Sequence, residues 1–280
     1  MRALLPLSLC LALGVPALAQ APTLPAPVAA KPVNAALAAA LADPRREPDR
    51  ARDRWRKPGE TLAFFGVAPD MKVGEYAPGG EWYSRLLGLY LGPRGQLVGL
   101  YFNPVSGAFP AADRQQAIRA AATKYPSDIA TWSGLPAEKF TAMTLETIPD
   151  AQKGTFDRIL IMRMMHNLMR WNIADSEIKA MRALLKPDGM IGIEQHRARP
   201  DAPYSYTDGS KGYLREADVI KFMEVNGFTF VGRSEANANP KDPANHAEGV
   251  WEMPPTFATK REELKGLGES DRMTLLFRKR

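Results

Sequence analysis

The stretch from Lys72 to Tyr83 constrains the fold more than any other part of the chain. It reads Lys-Val-Gly-Glu-Tyr-Ala-Pro-Gly-Gly-Glu-Trp-Tyr. A short apolar run carries a carboxylate near its end, a Pro-Gly-Gly turn follows, and an amphipathic helix begins at Trp82. This is the order of the first strand, turn and helix of an α/β sheet. Such a turn suits a nucleotide-like ligand: glycines let backbone approach it, and the helix N-terminus offers unpaired N–H groups. Glu75 is then placed to meet a positive or hydroxyl group. Gly79, Gly80 and the backbone N–H of Trp82 are placed to meet polar ligand atoms.

The sequence beyond this turn alternates in the same way. Strands are expected at 72–76, 96–102, 142–145, 156–162 and 190–194, with helices at 82–91, 111–123, 174–185 and 215–226 between and after them. The 156–162 run is mostly apolar, as for a strand buried on both faces. Gly92-Pro93 and Lys186-Pro187-Asp188-Gly189 stop two of the helices. The last two strands, 228–233 and 273–279, have no convincing crossover helix between them. That predicts a terminal antiparallel pair on an otherwise parallel sheet. Between them, Asn237 to Glu269 forms a long insertion, and a loop of that length is usually functional or disordered.

The N-terminal part has a different character. Met1 to Ala19 has a positive start at Arg2, an apolar stretch from Leu4 to Leu13 and a small-x-small end at Ala17-Leu18-Ala19. That is the anatomy of a secretory signal, so the expected location is periplasmic or secreted. A lone Arg2 points to general secretion rather than a twin-arginine route. No other apolar run approaches the roughly 20 residues that span a bilayer, so stable membrane insertion is not expected. The single cysteine, Cys10, lies inside the signal, which leaves the mature chain without a thiol. Residues 20–44 are rich in Ala and Pro and read as a flexible leader with a short helix near 34–42. Residues 45–280 form the main domain.

The chain has 280 residues, and 37 basic against 31 acidic residues give a net charge of +6. Much of the excess falls at Arg45, Arg46, Arg50, Arg52, Arg54, Arg56 and Lys57, interleaved with Glu47, Asp49 and Asp53. The pattern reads as a solvated helix from about Pro48 to Arg56 with internal ion pairs. No motif supports a nucleic-acid partner.

Strand–helix units closed by a terminal hairpin resemble class I S-adenosylmethionine-dependent methyltransferases. The first turn fits them better than nicotinamide enzymes, whose pyrophosphate turn has the G-x-G-x-x-G spacing; here it is Glu75-x-x-Pro78-Gly79-Gly80. Within that superfamily the chain is similar to a family of exported bacterial methyltransferases. The segments that carry this likeness include Asp49-Arg50-Ala51-Arg52-Asp53, Glu60 to Gly66, Pro78-Gly79-Gly80-x-Trp82-Tyr83, Arg163-x-x-His166-Asn167, Leu185-Lys186-Pro187-x-Gly189, Asn239-Pro240 and Ser270-Asp271-Arg272. Together they span most of 45–280. The resemblance implies a Rossmann-like sandwich with a mostly parallel seven-stranded sheet, S-adenosylmethionine as cofactor and a small-molecule substrate. The sequence departs from the pattern at Ala77 and Glu81, where glycines are usual. It departs again at the end of the second strand, where Asn103 stands in place of the acid that takes the ribose hydroxyls. Asn103 is the cofactor contact expected there. A ligand-binding protein on the same scaffold, without catalysis, is the alternative.

His166 follows the fourth strand, at the sheet edge where ligands bind. It is the candidate base or substrate-orienting group, with Asn167 as a hydrogen-bond partner and Arg163 as an anion contact. His196 ends the fifth strand in Glu194-Gln195-His196. A metal held by His166, His196 and Glu194 is a lesser reading, since no close-spaced ligand motif supports it. His246 is expected to be solvated or associated with a lid. Trp82, Tyr83, Tyr204, Tyr206 and Trp251 are candidates for an aromatic substrate wall. The 45–65 region and the 237–269 insertion are the expected cover over the cleft.

Overall fold

A computed structural model describes residues 25–28 and 31–280. The signal expected at 1–19 and part of the leader lie outside the described residues. Helix α1 (Ala35–Ala42) starts where Asn34 caps it, the side chain accepting from the Leu37 N–H, and it buries Leu37 and Ala40. The charged stretch does not form one solvated helix. It breaks into the single turns α2 (Glu47–Arg50) and α3 (Asp53–Arg56), followed by α4 (Pro58–Phe64). Arg46 and Arg56 are buried. Arg46 pairs with Asp53 at 2.7 Å, and the Arg56 guanidinium lies 4.5 Å from the centre of the Trp82 ring. A weakly hydrated guanidinium tolerates such burial against an aromatic face, which helical charge periodicity cannot reveal.

The core runs β1 (Lys72–Tyr76), α5 (Trp82–Leu91), β2 (Gln96–Tyr101), α6 (Ala112–Ser133), β3 (Phe140–Thr144), β4 (Phe156–Met162), α7 (Met165–Arg170), α8 (Ala174–Leu184) and β5 (Leu185–His196). It ends with α9 (Tyr204–Thr207), α10 (Glu216–Val225), β6 (Phe228–Ser234), α11 (Glu262–Lys265) and β7 (Arg272–Lys279). The seven strands form one sheet in the order β3-β2-β1-β4-β5-β7-β6. The first five are parallel, and β7 runs antiparallel to both β5 and β6. The expected hairpin is therefore present, with its last strand inserted next to β5. Ile159, Leu160 and Ile161 of β4 are fully buried, consistent with cover on both faces.

Two elements run longer than their sequence signals. Helix α6 continues through Pro126 to Ser133 and ends at Gly134. A proline costs an internal helix bond, but Tyr125 and Ile129 on either side are fully buried and hold the second half in place. Strand β5 begins at Leu185, and a bulge in its pairing with β4 absorbs the Lys186–Gly189 turn. No helix among the described residues is long and apolar enough to cross a membrane.

This order places the carboxyl ends of β1, β2, β4 and β5 on one edge. The strand order reverses direction between β1 and β4, which is where an open α/β sheet leaves a crevice for ligands.

Candidate functional site

Three non-glycine residues on this edge hold left-handed backbone: Ala77 (φ 48°), Glu81 (φ 54°) and Arg163 (φ 55°). Such conformations persist only where surrounding structure enforces them, and they gather at ligand sites. Glu81 precedes α5, and no side chain caps that helix. A Cβ added at Gly80 would meet nothing within 4 Å, and one at Gly79 only the Ala77 carbonyl at 3.8 Å. The turn therefore faces open space. That space is a cleft of about 220 Å³ lined by Ala77, Pro78, Gly79, Tyr101, Phe102 and Met164 along with residues of α6.

Glu75 lies beneath this turn, only 4% exposed, and accepts a 2.5 Å hydrogen bond from the Ser84 hydroxyl. Burial pushes its carboxyl up to about 7, against the lowering effect of Ser84. Trp82 turns away from the cleft. Its indole N–H donates to the Asp49 carbonyl, and its ring lies against Arg46 and Arg56. It anchors the N-terminal helices, leaving only its backbone N–H in the turn. Tyr83 follows it, its hydroxyl donating to the Arg56 carbonyl. Asn103 uses its side-chain oxygen to accept from the Val105 N–H, closing its own turn.

The acid at the end of β2 comes from another element. Glu177 of α8, buried, accepts from the Asn103 N–H at 2.9 Å and from the Tyr76 hydroxyl at 2.9 Å. It ties the ends of β1 and β2 together. Nothing local distinguishes Glu177 from the solvent-facing acids common in first helical turns. Phe102 packs beside this pair, with ring centres 5.4 Å from Tyr76 and 5.5 Å from Trp171.

A second pocket, about 210 Å³, sits over the ends of β4 and β5. Arg163 lines this pocket and Met164 lines the first cleft, so the two are neighbours across the exit of β4. Small-molecule sites span roughly 300–1,000 Å³. Neither cavity reaches that size alone. His166 and His196 line the second pocket with ring centres 5.6 Å apart. Arg52 and Arg56 enter from the N-terminal segment, and Trp251, Met253 to Thr256 and Glu269 from the insertion. Both segments expected as cover thus contribute to this pocket.

His166 is buried, and both its N–H and its Nδ1 face the Gln195 side-chain oxygen, at 3.2 and 3.3 Å. Gln195 in turn donates to the Gly212 carbonyl at 2.7 Å. Burial lowers the His166 imidazole to about 4, despite the Gln195 contact. His196 Nδ1 lies 2.6 Å from the Ser270 hydroxyl. Burial, followed by the His166 neighbour, drives the His196 imidazole well down. Both rings are neutral at physiological pH. Asn167 does not line this pocket; its amide donates to the Met164 sulfur at 3.0 Å. Glu194 pairs with Arg272 at 3.0 Å beneath the pocket. Among the described residues, no group of three His, Cys, Asp or Glu side chains is arranged to hold a metal ion.

Of the aromatic candidates, Trp251 lines the pocket, its ring 6.0 Å from His166. Tyr206 stacks on Tyr213, and Tyr204 points to solvent. His246 is not solvated: it is buried, with Nε2 3.0 Å from Asp242, which also accepts from the Tyr213 hydroxyl. A carboxylate and a tyrosine close around it where the loop sequence suggested open solvent.

A wider cleft, about 1020 Å³, lies beside Arg197, Glu216, Arg233 and Asp271. Arg197 pairs there with Glu216, Glu235 and Asp271, and Arg233 with Glu216. Its central arginines are matched by these carboxylates, and it contains neither histidine nor the glycine turn.

No protein-family model matches the chain, and neither does any curated protein. Solved structures do. A SAM-dependent methyltransferase from Aquifex aeolicus superposes with TM-score 0.52 at 14% identity, over 86% of this chain and 95% of that one. Geranyl diphosphate C-methyltransferase from Streptomyces coelicolor A3(2), in complex with Mg2+, geranyl diphosphate and S-adenosyl-L-homocysteine, gives 0.52 at 13% identity over 90% of both chains. The [4+2]-cyclase SpnF gives 0.51 at 15% identity, over 90% of this chain and 97% of that one. At these identities the likeness concerns the fold, a Rossmann-like sandwich of the class I methyltransferase type. The cyclase among these neighbours bears out that such a fold alone does not name a reaction.

Proposed function

We propose that the protein is an S-adenosylmethionine-dependent methyltransferase acting on a small molecule, exported from the cytoplasm. The observation that carries this reading is the pair of adjoining cavities on the sheet's carboxyl edge. One runs along an open glycine turn, and the other holds two neutral histidines under a built roof. The residues around the first cavity fit the cofactor in kind. Tyr101, Phe102 and Met164 offer apolar surface, Gly79 leaves room, and the uncapped start of α5 offers N–H groups to a carboxylate.

Bound there, the cofactor supplies an electrophilic methyl group and its own leaving group. The chain supplies orientation and exclusion of water, and alignment of reactants contributes on the order of 7–11 kcal/mol to such displacements. Glu75 lies behind the cleft wall rather than on it, and a positive charge placed nearby would favour its ionised form. His166, uncharged and fixed by Gln195, has a ring nitrogen able to accept a hydrogen bond from a hydroxyl or phenol substrate and so orient it. The roof formed by Arg52, Arg56, Trp251 and Met253 to Thr256 keeps water from the reacting groups.

Calorimetric titration of the mature protein with S-adenosylmethionine tests this reading. Saturable binding is expected, and absence of binding at millimolar cofactor rules it out. The Met1–Ala19 pattern supports export, and processing after Ala19 in protein recovered from the producing cell is its check.

A further inference from the structure

The pocket over β4 and β5 holds more positive charge than its acids can match. Four guanidinium groups gather in or under it: Arg52, Arg56, Arg163 and Arg272. Two carboxylates answer them. Glu269 pairs with Arg52 at 2.7 Å and Arg272 at 2.8 Å, and stands 3.5 Å from Arg56. Glu194 pairs with Arg272 at 3.0 Å. Arg163 has no ion pair among the described residues. The two histidines in the pocket are neutral and offset nothing.

The donors tell the same story. Arg56 is 3% exposed, yet its Nη1 is buried without a hydrogen-bond partner among the described residues. The same holds for Nη1 of Arg163. Buried guanidinium donors are ordinarily paired, so two orphans on residues that line one cavity leave its wall short of acceptors. Glu194 lies in the same buried cluster and favours the charged form of Arg56, but it makes no hydrogen bond to either orphan. Burial, with Arg163 as a like-charged neighbour, lowers Arg56 to about 9. A nearby anion would reverse that effect.

We infer that this pocket binds an oxyanion group of the methyl acceptor, a carboxylate or a phosphate ester, between Arg56 and Arg163 with Arg52 at its rim. As a statement about a methyl acceptor, this rests on the reading above; as an anion site, it stands on the arginines alone. Planar guanidinium groups suit such oxygens, which accept paired hydrogen bonds. The Trp82 ring covers one face of the Arg56 guanidinium. A cavity of about 210 Å³ limits the acceptor to a small molecule. The anion would hold that molecule beside His166 and Trp251, which line the same cavity.

The test uses the mature protein with inorganic phosphate and, separately, acetate, each against chloride at equal ionic strength. Melting temperature and calorimetric affinity are read, and S-adenosylmethionine is titrated in parallel. At least one anion is expected to raise the melting temperature saturably, and comparing the two separates a phosphate site from a carboxylate site. Arg163→Gln is expected to weaken that anion at least fivefold while changing cofactor affinity less than threefold. Arg56→Gln should behave alike; if it fails to fold, Arg163→Gln, at a less buried position, carries the test. Equal behaviour of both anions and chloride overturns the inference. So does a cofactor affinity that falls in step with anion affinity, since the arginines would then serve the cofactor's own carboxylate. Anion binding without any cofactor binding would sustain the site and refute the methyltransferase reading.

Discussion

Glu75 shows how much one buried carboxyl can report. Its folded pKa of about 7 lies above the ordinary carboxylate value because burial outweighs the Ser84 hydrogen bond. The stability it confers is therefore fully present below the unfolded pKa and is lost as pH rises through the folded one. Between those values the native state keeps a proton that the unfolded chain has released. Glu75→Gln retains an acceptor for Ser84 and removes the titration. In urea unfolding, the variant should exceed the parent by roughly 2–4 kcal/mol near pH 8 and match it near pH 4.5. An equal difference at both pH values would mean that Glu75 ionises normally. His166 behaves in the opposite sense. Burial pulls its imidazole to about 4, so the ring is uncharged throughout the neutral range. Its NMR titration in the free protein should have a midpoint near that value; a midpoint at about 6.5, the ordinary histidine value, would show the ring to be solvated. Glu75, the glycines, Arg163 and His166 were legible because each follows an apolar strand run at the edge where ligands bind. Glu177, Arg56 and Arg272 were not. Each acts through a contact far away in sequence, and a lone charge on a helix or strand carries no mark of such a contact.

At the scale of elements, the cover is joined to the sheet by close packing. A Cβ at Gly192 of β5 would come within 2.6 Å of the Phe65 ring, which follows α4. The glycine lets the ring sit against the strand, and that contact helps fix the helices that bring Arg52 and Arg56 over the pocket. Gly192→Val should cost about 1–3 kcal/mol through overpacking, seen as a lower urea midpoint at unchanged slope. An unaffected midpoint would show that the cover is free to shift. Strand boundaries and the order of units were readable from apolar runs and Gly/Pro stops, since both are local signals. Helix α6 passed its apparent stop because Tyr125 and Ile129 are buried against the sheet. Residues 48–56 split into two short helical turns, with Arg46 and Arg56 finding partners inside the protein. In both cases tertiary burial overrode a local preference, and a single sequence does not contain that information.

Across the whole molecule, a parallel sheet and its terminal hairpin set a common ligand edge. The segments outside the repeating units wall a pocket on that edge. The open turn at Gly79 and Gly80 belongs to the first part, and the arginine-lined pocket belongs to the second. The charged stretch near the N-terminus, first read as a solvated surface, supplies part of the pocket wall. The central claim is that the cleft along the first turn binds S-adenosylmethionine. Gly79 tests it with little risk to the fold, because an added Cβ there meets only the Ala77 carbonyl at 3.8 Å while the residue lines the cleft. Calorimetric titration of the parent and of Gly79→Leu with S-adenosylmethionine is therefore the most direct measurement. The account predicts saturable binding to the parent and at least tenfold weaker binding to a folded Gly79→Leu. No binding to the parent at millimolar cofactor, or equal affinity for both proteins, would contradict it.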